Sequence, residues 1–113
     1  MTDTHFINGS VCAGKSGRSK DVYNPATGIV VASVPLASTG EVDAAVSAAK
    51  AALPAWANTP PAKRAQIMFN FRDLIIKNLN TISELISIQH GKTLDDAKGE
   101  VARGIEVVEF ACG

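Results

Sequence analysis

The hydrophobic period of this chain changes once, near Leu36, and that change constrains the fold more than any other feature. Before it, the runs HFI, DVY and IVVASVP are short and rich in β-branched or aromatic residues, and turn signals such as Asn8-Gly9 separate them. After it, apolar residues recur at intervals of three and four, the spacing of amphipathic helices. We therefore predict an α/β chain, with a strand and turn segment at 1–36, forming a small antiparallel meander, and a helical segment at 37–113.

Helix boundaries can be predicted from capping residues. Ser38 with Glu41, and Thr81 with Glu84, have the spacing of capping boxes. Thr93 can cap a further helix, and Gly91 fits the left-handed cap that ends the one before it. Trp56 follows Pro54, so we expect it to lie just beyond the end of the first helix. A second helix should begin at Thr59, with Pro60 at its first position. We also expect a break or kink near residues 78–81.

Composition excludes several classes of function. Eleven basic residues balance eleven acidic ones, so the chain lacks the basic surplus typical of nucleic-acid or anionic-membrane binding. No apolar run approaches the ~20 residues that span a bilayer, and the first residues resemble no signal or transit peptide, so we expect a cytoplasmic protein. Cys12 and Cys112 lack metal-ligand spacing and are predicted to be free thiols, with no metal site.

The stretch GSVCAGKS, residues 9–16, fits the phosphate-binding P-loop pattern G-x-x-x-x-G-K-[ST]. A P-loop needs a helix that starts directly after the lysine, because the helix N-terminus faces the phosphates. Here the continuation GRSKDVYNP contains a glycine, a predicted strand and Asn-Pro. We therefore expect hairpin turns with Lys15 and Arg18 solvated, and keep nucleotide binding only as a minor alternative.

The most suggestive polar residue is Arg103, which lies between Gly99 and Gly104 on the last predicted helix. A glycine inside a helix costs about 1 kcal/mol relative to alanine, so two of them indicate close approach of another backbone or a ligand. Arg103 can be a solvated residue paired with Glu100 or Glu106. Alternatively, it can bind a substrate carboxylate beside the small residues.

Several stretches together resemble the N-terminal part of the aldehyde dehydrogenase superfamily. They are FINGS, VYNPATGIVVASVP, EVDAAVSAAKAALPAW, KRAQIMFNFRDLI and HGKTLDDA, in the order and spacing of that family. The tail AKGEVARGIEVVEFACG resembles one branch, the CoA-acylating methylmalonate-semialdehyde dehydrogenases. The resemblance covers essentially the whole chain.

The resemblance implies that the strands belong to a β-ribbon and that the helices begin a Rossmann-like NAD domain. It also implies NAD-dependent oxidative decarboxylation of a malonate or methylmalonate semialdehyde to acetyl-CoA or propionyl-CoA by a full-length homo-oligomer. This chain would be an incomplete N-terminal part, because the catalytic domain, the nucleophilic cysteine and the main NAD-binding segments of the family lie beyond position 113. It should hold no catalytic residue, bind neither NAD nor coenzyme A, and be inactive alone. Arg103 matches the arginine that holds the substrate carboxylate in this branch.

Two other interpretations stay open at this point. The chain can belong to another NAD-dependent aldehyde or semialdehyde dehydrogenase that does not use coenzyme A. It can also be a non-catalytic oligomerisation or interaction module that docks through its β-ribbon and its apolar helix faces.

Overall fold

The computed structural model describes residues 4–113, which fall into two compact units divided between Asn58 and Thr59. The first unit contains all four strands and the first helix, and the second contains the remaining three helices. The strands precede the helices, so the predicted α/β class is confirmed. None of the helices formed by residues 4–113 is long and apolar enough to cross a bilayer.

The four strands form two separate antiparallel hairpins. The first pairs β1 (His5–Ile7) with β2 (Ser10–Cys12), and the second pairs β3 (Ser19–Tyr23) with β4 (Val30–Pro35). The predicted single meander is therefore wrong. The segment between β2 and β3 bonds instead to the chain just after β4, because the Ser16 hydroxyl donates to the Leu36 carbonyl and the Arg18 guanidinium donates to that of Ala37.

The turns of the two hairpins have the chemistry that the sequence predicts. Asn8 and Gly9 join β1 to β2 with φ of 53° and 73°, the left-handed pair that a two-residue hairpin requires. In the second hairpin, the Asn24 side chain accepts hydrogen bonds from the backbone N–H groups of Ala26 and Thr27 at 2.9 and 3.3 Å. This side chain therefore fixes the turn before β4.

Helix α1 (Thr39–Asn58) begins at the predicted capping box. The Ser38 hydroxyl accepts from the Glu41 N–H at 3.3 Å, and the Glu41 carboxylate accepts from the Ser38 N–H at 2.8 Å. The helix continues through Pro54, so Trp56 lies inside it and the predicted earlier end is wrong. Proline removes one backbone donor, but alanines surround it at 51, 52, 55 and 57 and favour the helix.

The second unit consists of α2 (Pro61–Lys77), α3 (Leu79–His90) and α4 (Leu94–Phe110). Proline occupies the first position of α2, one residue later than predicted. The break before α3 is at Asn78, as predicted, but Thr81 lies inside α3 and does not begin it. The Asn78 amide donates to the Leu74 carbonyl at 2.8 Å and closes the end of α2.

One apolar face of α4 supplies most of the small core of the second unit. Ala97 and Val101 are buried, as is Ser83 of α3, and Ile105, Val108 and Cys112 are half-buried. Helices α2 and α4 are also joined by a salt bridge, in which Arg72 Nε lies 2.6 Å from Glu109 Oε1. The core therefore holds α4 in place and leaves its opposite side, which carries Arg103, exposed.

Candidate functional site

Arg103 lies on the exposed side of α4. Its guanidinium forms no hydrogen bond or salt bridge with any side chain or backbone group of residues 4–113. The pairing with Glu100 or Glu106 that a solvated role would favour is therefore not formed. An exposed guanidinium without a partner in this part of the chain retains all its donors for an anionic ligand.

Glu100, three residues before Arg103, is paired with Lys92 instead. The Lys92 ammonium contacts Glu100 Oε1, and the Lys92 side chain is 18% exposed. This hydrogen bond is the main cause that lowers the pKa of Glu100, with smaller contributions from the charges of Lys92, His90 and Arg103. Helical spacing does not predict this pair, because its members lie eight positions apart across a turn, outside the three- and four-residue spacings of one helix.

Helix caps on both sides of Lys92 fix the connection between α3 and α4. The Thr93 hydroxyl accepts from the Asp96 N–H at 3.2 Å, as predicted, and Asp95 and Asp96 lie in the first turn. Gly91 ends α3 with φ of 84°, the predicted left-handed cap. The short connection that carries Lys92 is therefore held at both ends.

An open apolar groove of about 460 Å³ runs beside this pair within the second unit. Glu100 is its charged member, and Gly104, next to Arg103, lies on its wall. The other lining residues are Phe71, Ile75, Ile82, Ile86, Val101 and Val108. The groove thus combines apolar walls with one carboxylate, that of Glu100, and small-molecule sites are also mostly apolar with a few polar groups.

The two glycines of α4 face open space in this part of the protein. A Cβ atom added at Gly99 or Gly104 would meet no described atom within 4 Å. The close approach that these glycines predict is therefore not made by residues 4–113. The prediction stays open for a ligand or for protein outside these residues.

Beyond β2, the P-loop-like stretch joins the two hairpins and is not the predicted hairpin turn, and the Arg18 guanidinium, predicted to be solvated, donates to the Ala37 carbonyl. Strand β3, not a helix, follows Lys15 and Ser16. The Lys15 backbone N–H donates to Glu41 Oε1 at 2.7 Å, which places a carboxylate where a phosphate would bind. Hydrogen bonds from Ser38 and Lys15 lower the pKa of Glu41 to about 2, so this group is ionised at neutral pH and would repel a phosphate.

The cysteines do not form a reactive cluster. Both are free thiols in the structure, as predicted. Cys12 lies 3.7 Å from the His5 carbonyl, and Cys112 lies 3.3 Å from the Val108 carbonyl. Among residues 4–113, no group of three or more histidine, cysteine or acidic side chains could hold a metal ion.

Comparison with known proteins supports the family resemblance. The sequence pattern of the Aldehyde dehydrogenase family matches residues 12–113. The malonate-semialdehyde dehydrogenase of Pseudomonas aeruginosa is 56% identical over 108 residues, which are 96% of this chain and 22% of that protein. The Homo sapiens mitochondrial methylmalonate-semialdehyde/malonate-semialdehyde dehydrogenase [acylating] is 46% identical over 95% of this chain and 20% of its own length.

A solved structure gives the same result for the fold. It is described as a methylmalonate-semialdehyde dehydrogenase from Sinorhizobium meliloti complexed with NAD. It matches with a TM-score of 0.97 and 49% identity, over 100% of this chain and 23% of that one. The chain thus spans between a fifth and a quarter of the length of these relatives. With a family match from residue 12 to residue 113, this chain belongs to the aldehyde dehydrogenase family.

Proposed function

We propose that this chain is part of an NAD-dependent, CoA-acylating methylmalonate- or malonate-semialdehyde dehydrogenase. The observation that carries the proposal is the 56% identity to the Pseudomonas aeruginosa malonate-semialdehyde dehydrogenase across 96% of the chain. In the proposed reaction, the semialdehyde is oxidised by NAD⁺, its carboxylate leaves as carbon dioxide, and the acyl group is transferred to the thiol of coenzyme A. The products are NADH and acetyl-CoA or propionyl-CoA.

The cofactors are supported by relatives and not by residues of this chain. The Sinorhizobium meliloti relative was solved with NAD, and the name of the Homo sapiens relative includes the word acylating. The glycine-containing stretch at 9–16 leads into a strand and Glu41 lies beside it, so this stretch offers no helix N-terminus to a pyrophosphate. We therefore assign no cofactor contact and no cofactor-dependent step to this chain.

Arg103 is the residue that we assign to the substrate. Its guanidinium is exposed and free of ion pairs with residues 4–113, and its neighbour Gly104 lines an apolar groove. A guanidinium can bind a carboxylate through two parallel hydrogen bonds. A semialdehyde of the malonate class carries one carboxylate, which is the group that an exposed guanidinium of this kind binds.

Substitution of Arg103 tests this assignment. In the full-length enzyme, Arg103→Ala should lower kcat/KM for the carboxylated semialdehyde by about 2–4 kcal/mol, roughly 30- to 900-fold, because the bound carboxylate loses its partner. An uncharged aldehyde of similar size should lose much less. Steady-state kinetics with both substrates measure the difference.

Two variants on the same helix serve as controls. Arg103→Lys keeps the charge but not the two-pronged geometry, so its loss should lie between those of wild type and Arg103→Ala. Lys98→Ala removes another cation of α4 and should affect both substrates equally little. Equal losses for both substrates in Arg103→Ala would disprove the carboxylate-binding role.

The predictions on assembly and location belong to the same proposal. We expect the full-length enzyme to be a homo-oligomer, as the family resemblance implies. We also expect no nucleic-acid or membrane partners, since the eleven basic residues of the chain balance its eleven acidic ones. A cytoplasmic location also stays a prediction. Cell fractionation and light scattering of the purified enzyme would check both.

A further inference from the structure

The connection between α3 and α4 holds Lys92 in a defined position. The Gly91 N–H donates to the Ser87 carbonyl at 2.8 Å, and the Ser87 hydroxyl donates to the Lys92 carbonyl at 2.7 Å. Thr93 then caps α4. The backbone at Lys92 is therefore fixed on both sides, and the half-buried side chain extends to Glu100 on the second turn of α4.

Glu100 is also well placed to capture Arg103. Residues three apart on a helix have Cβ atoms about 5–6 Å from each other, and an acidic residue that precedes a basic one has the favourable orientation. Glu100 precedes Arg103 by three positions. In the structure, however, Glu100 contacts Lys92 and Arg103 is unpaired among residues 4–113.

We infer that Lys92 is a positioning residue that occupies Glu100 and so keeps the Arg103 guanidinium available for the substrate carboxylate. The inference rests on the proposed function of Arg103. Without Lys92, the Glu100 carboxylate would have two effects of the same sign. It would attract the guanidinium away from the substrate, and it would repel the carboxylate of the substrate itself.

The other charged groups nearby do not take over this task. Glu106 also lies three residues from Arg103, but it follows the arginine, the less favourable orientation, and forms no ion pair with it. His90 contributes only a small electrostatic effect at Glu100. The positive charge that neutralises the Glu100 carboxylate therefore comes chiefly from Lys92.

Kinetics of the full-length enzyme test the inference. Lys92→Met should raise KM for the carboxylated semialdehyde about three- to tenfold, with kcat nearly constant, because binding to Arg103 is weakened. The KM for an uncharged aldehyde should stay near that of wild type. Lys92→Arg, which can still pair with Glu100, should retain most of the affinity for the carboxylated substrate.

Removal of the competing carboxylate provides the decisive comparison. The double variant Lys92→Met/Glu100→Gln should recover the lower KM, because the glutamine neither holds Arg103 as an ion pair nor repels the substrate. Glu106→Gln is the matched control and should leave the kinetics with both substrates unchanged. In an Arg103→Ala background, Lys92→Met should raise the KM for the carboxylated substrate less than it does in wild type, because only the direct repulsion by Glu100 remains.

The outcomes separate this inference from the function on which it rests. A selective loss in Arg103→Ala together with an unchanged KM in Lys92→Met would overturn the inference and leave the proposed function intact. Equal losses for both substrates in Lys92→Met, not restored by Glu100→Gln, would show a purely structural ion pair and also overturn it. Equal losses for both substrates in Arg103→Ala would overturn the proposed function and the inference together.

Discussion

The carboxylate of Glu41 accepts hydrogen bonds from two segments of the first unit. Glu41 Oε2 accepts from the N–H and the hydroxyl of Ser38, each at 2.8 Å, and Oε1 accepts from the Lys15 N–H at 2.7 Å. The same residue thus caps α1 and anchors the loop between β2 and β3. These hydrogen bonds stabilise the ionised form and account for its low pKa.

This arrangement predicts an acid-dependent loss of stability. The pKa of Glu41 falls from an ordinary value of 4.5 to about 2 in the folded protein. Its charge therefore stabilises the fold fully above the ordinary value, and this contribution is lost progressively as the pH falls toward the lower one. The Tm difference between wild type and Glu41→Gln should be largest near neutral pH and shrink over that interval. Thermal unfolding at a series of pH values measures it.

Glu84→Gln is the matched control, because Glu84 is an exposed glutamate on α3. Its Tm difference from wild type should be smaller than that of Glu41→Gln and vary less across the same interval. A Tm difference for Glu41→Gln that stays constant from neutral to acid pH would show that the charge of Glu41 does not stabilise the fold.

The elements show which parts of the fold a local pattern can predict. The caps at Ser38, Gly91 and Thr93 were predicted correctly because each depends on residues within four positions of one another. The predicted end of α1 was wrong because the alanines on both sides of Pro54 favour the helix enough to offset the backbone donor that proline lacks. The separation of the two hairpins was missed because it depends on contacts such as Ser16 with Leu36, twenty residues apart.

The candidate site could likewise be predicted from the sequence only in part. Arg103 could be singled out from its glycine neighbours and from the family resemblance, since both are visible in the sequence. Its free guanidinium could not, because that depends on Glu100 pairing with Lys92 across the turn between α3 and α4. Competition among charges for one partner is a property of the folded unit, and local spacing gives two acceptable partners for Arg103 without choosing between them.

Substitution of Gly104 in α4 by alanine is predicted to raise the stability of the protein and to lower its activity. Gly104→Ala meets no described atom within 4 Å, so it should favour the helix by about 1 kcal/mol. If a ligand or another segment approaches this position in the full-length enzyme, the same substitution should lower kcat/KM for the carboxylated semialdehyde. Thermal unfolding and kinetics of one preparation test both statements.

Ala102→Gly is the corresponding control on the same helix. Ala102 is exposed, so this variant should lose about 1 kcal/mol of stability without a selective effect on substrate. If Gly104→Ala has full activity with the carboxylated substrate, no close approach occurs at that glycine, and its presence in α4 has no functional basis.

At the scale of the whole chain, many large apolar side chains are exposed in both units. Phe6 is 72% exposed in the first unit, and Val107 and Phe110 are 69% and 89% exposed in the second. The chain also spans only 22% of the Pseudomonas aeruginosa relative. Where such side chains form a large contiguous patch, the patch marks a site of contact with other protein, a membrane or a ligand. Together these observations support the proposal that the chain forms part of a longer enzyme.

The most direct test is CoA-dependent NADH formation by the protein purified from its native source through an affinity tag at the N-terminus of this chain. We predict that malonate or methylmalonate semialdehyde reduces NAD⁺ and yields acetyl-CoA or propionyl-CoA only when coenzyme A is present, and that the intact mass is several times 11.8 kDa. NADH formation that is independent of coenzyme A would indicate a different aldehyde dehydrogenase. A protein near 11.8 kDa that forms no NADH would contradict the account and favour the non-catalytic interaction module.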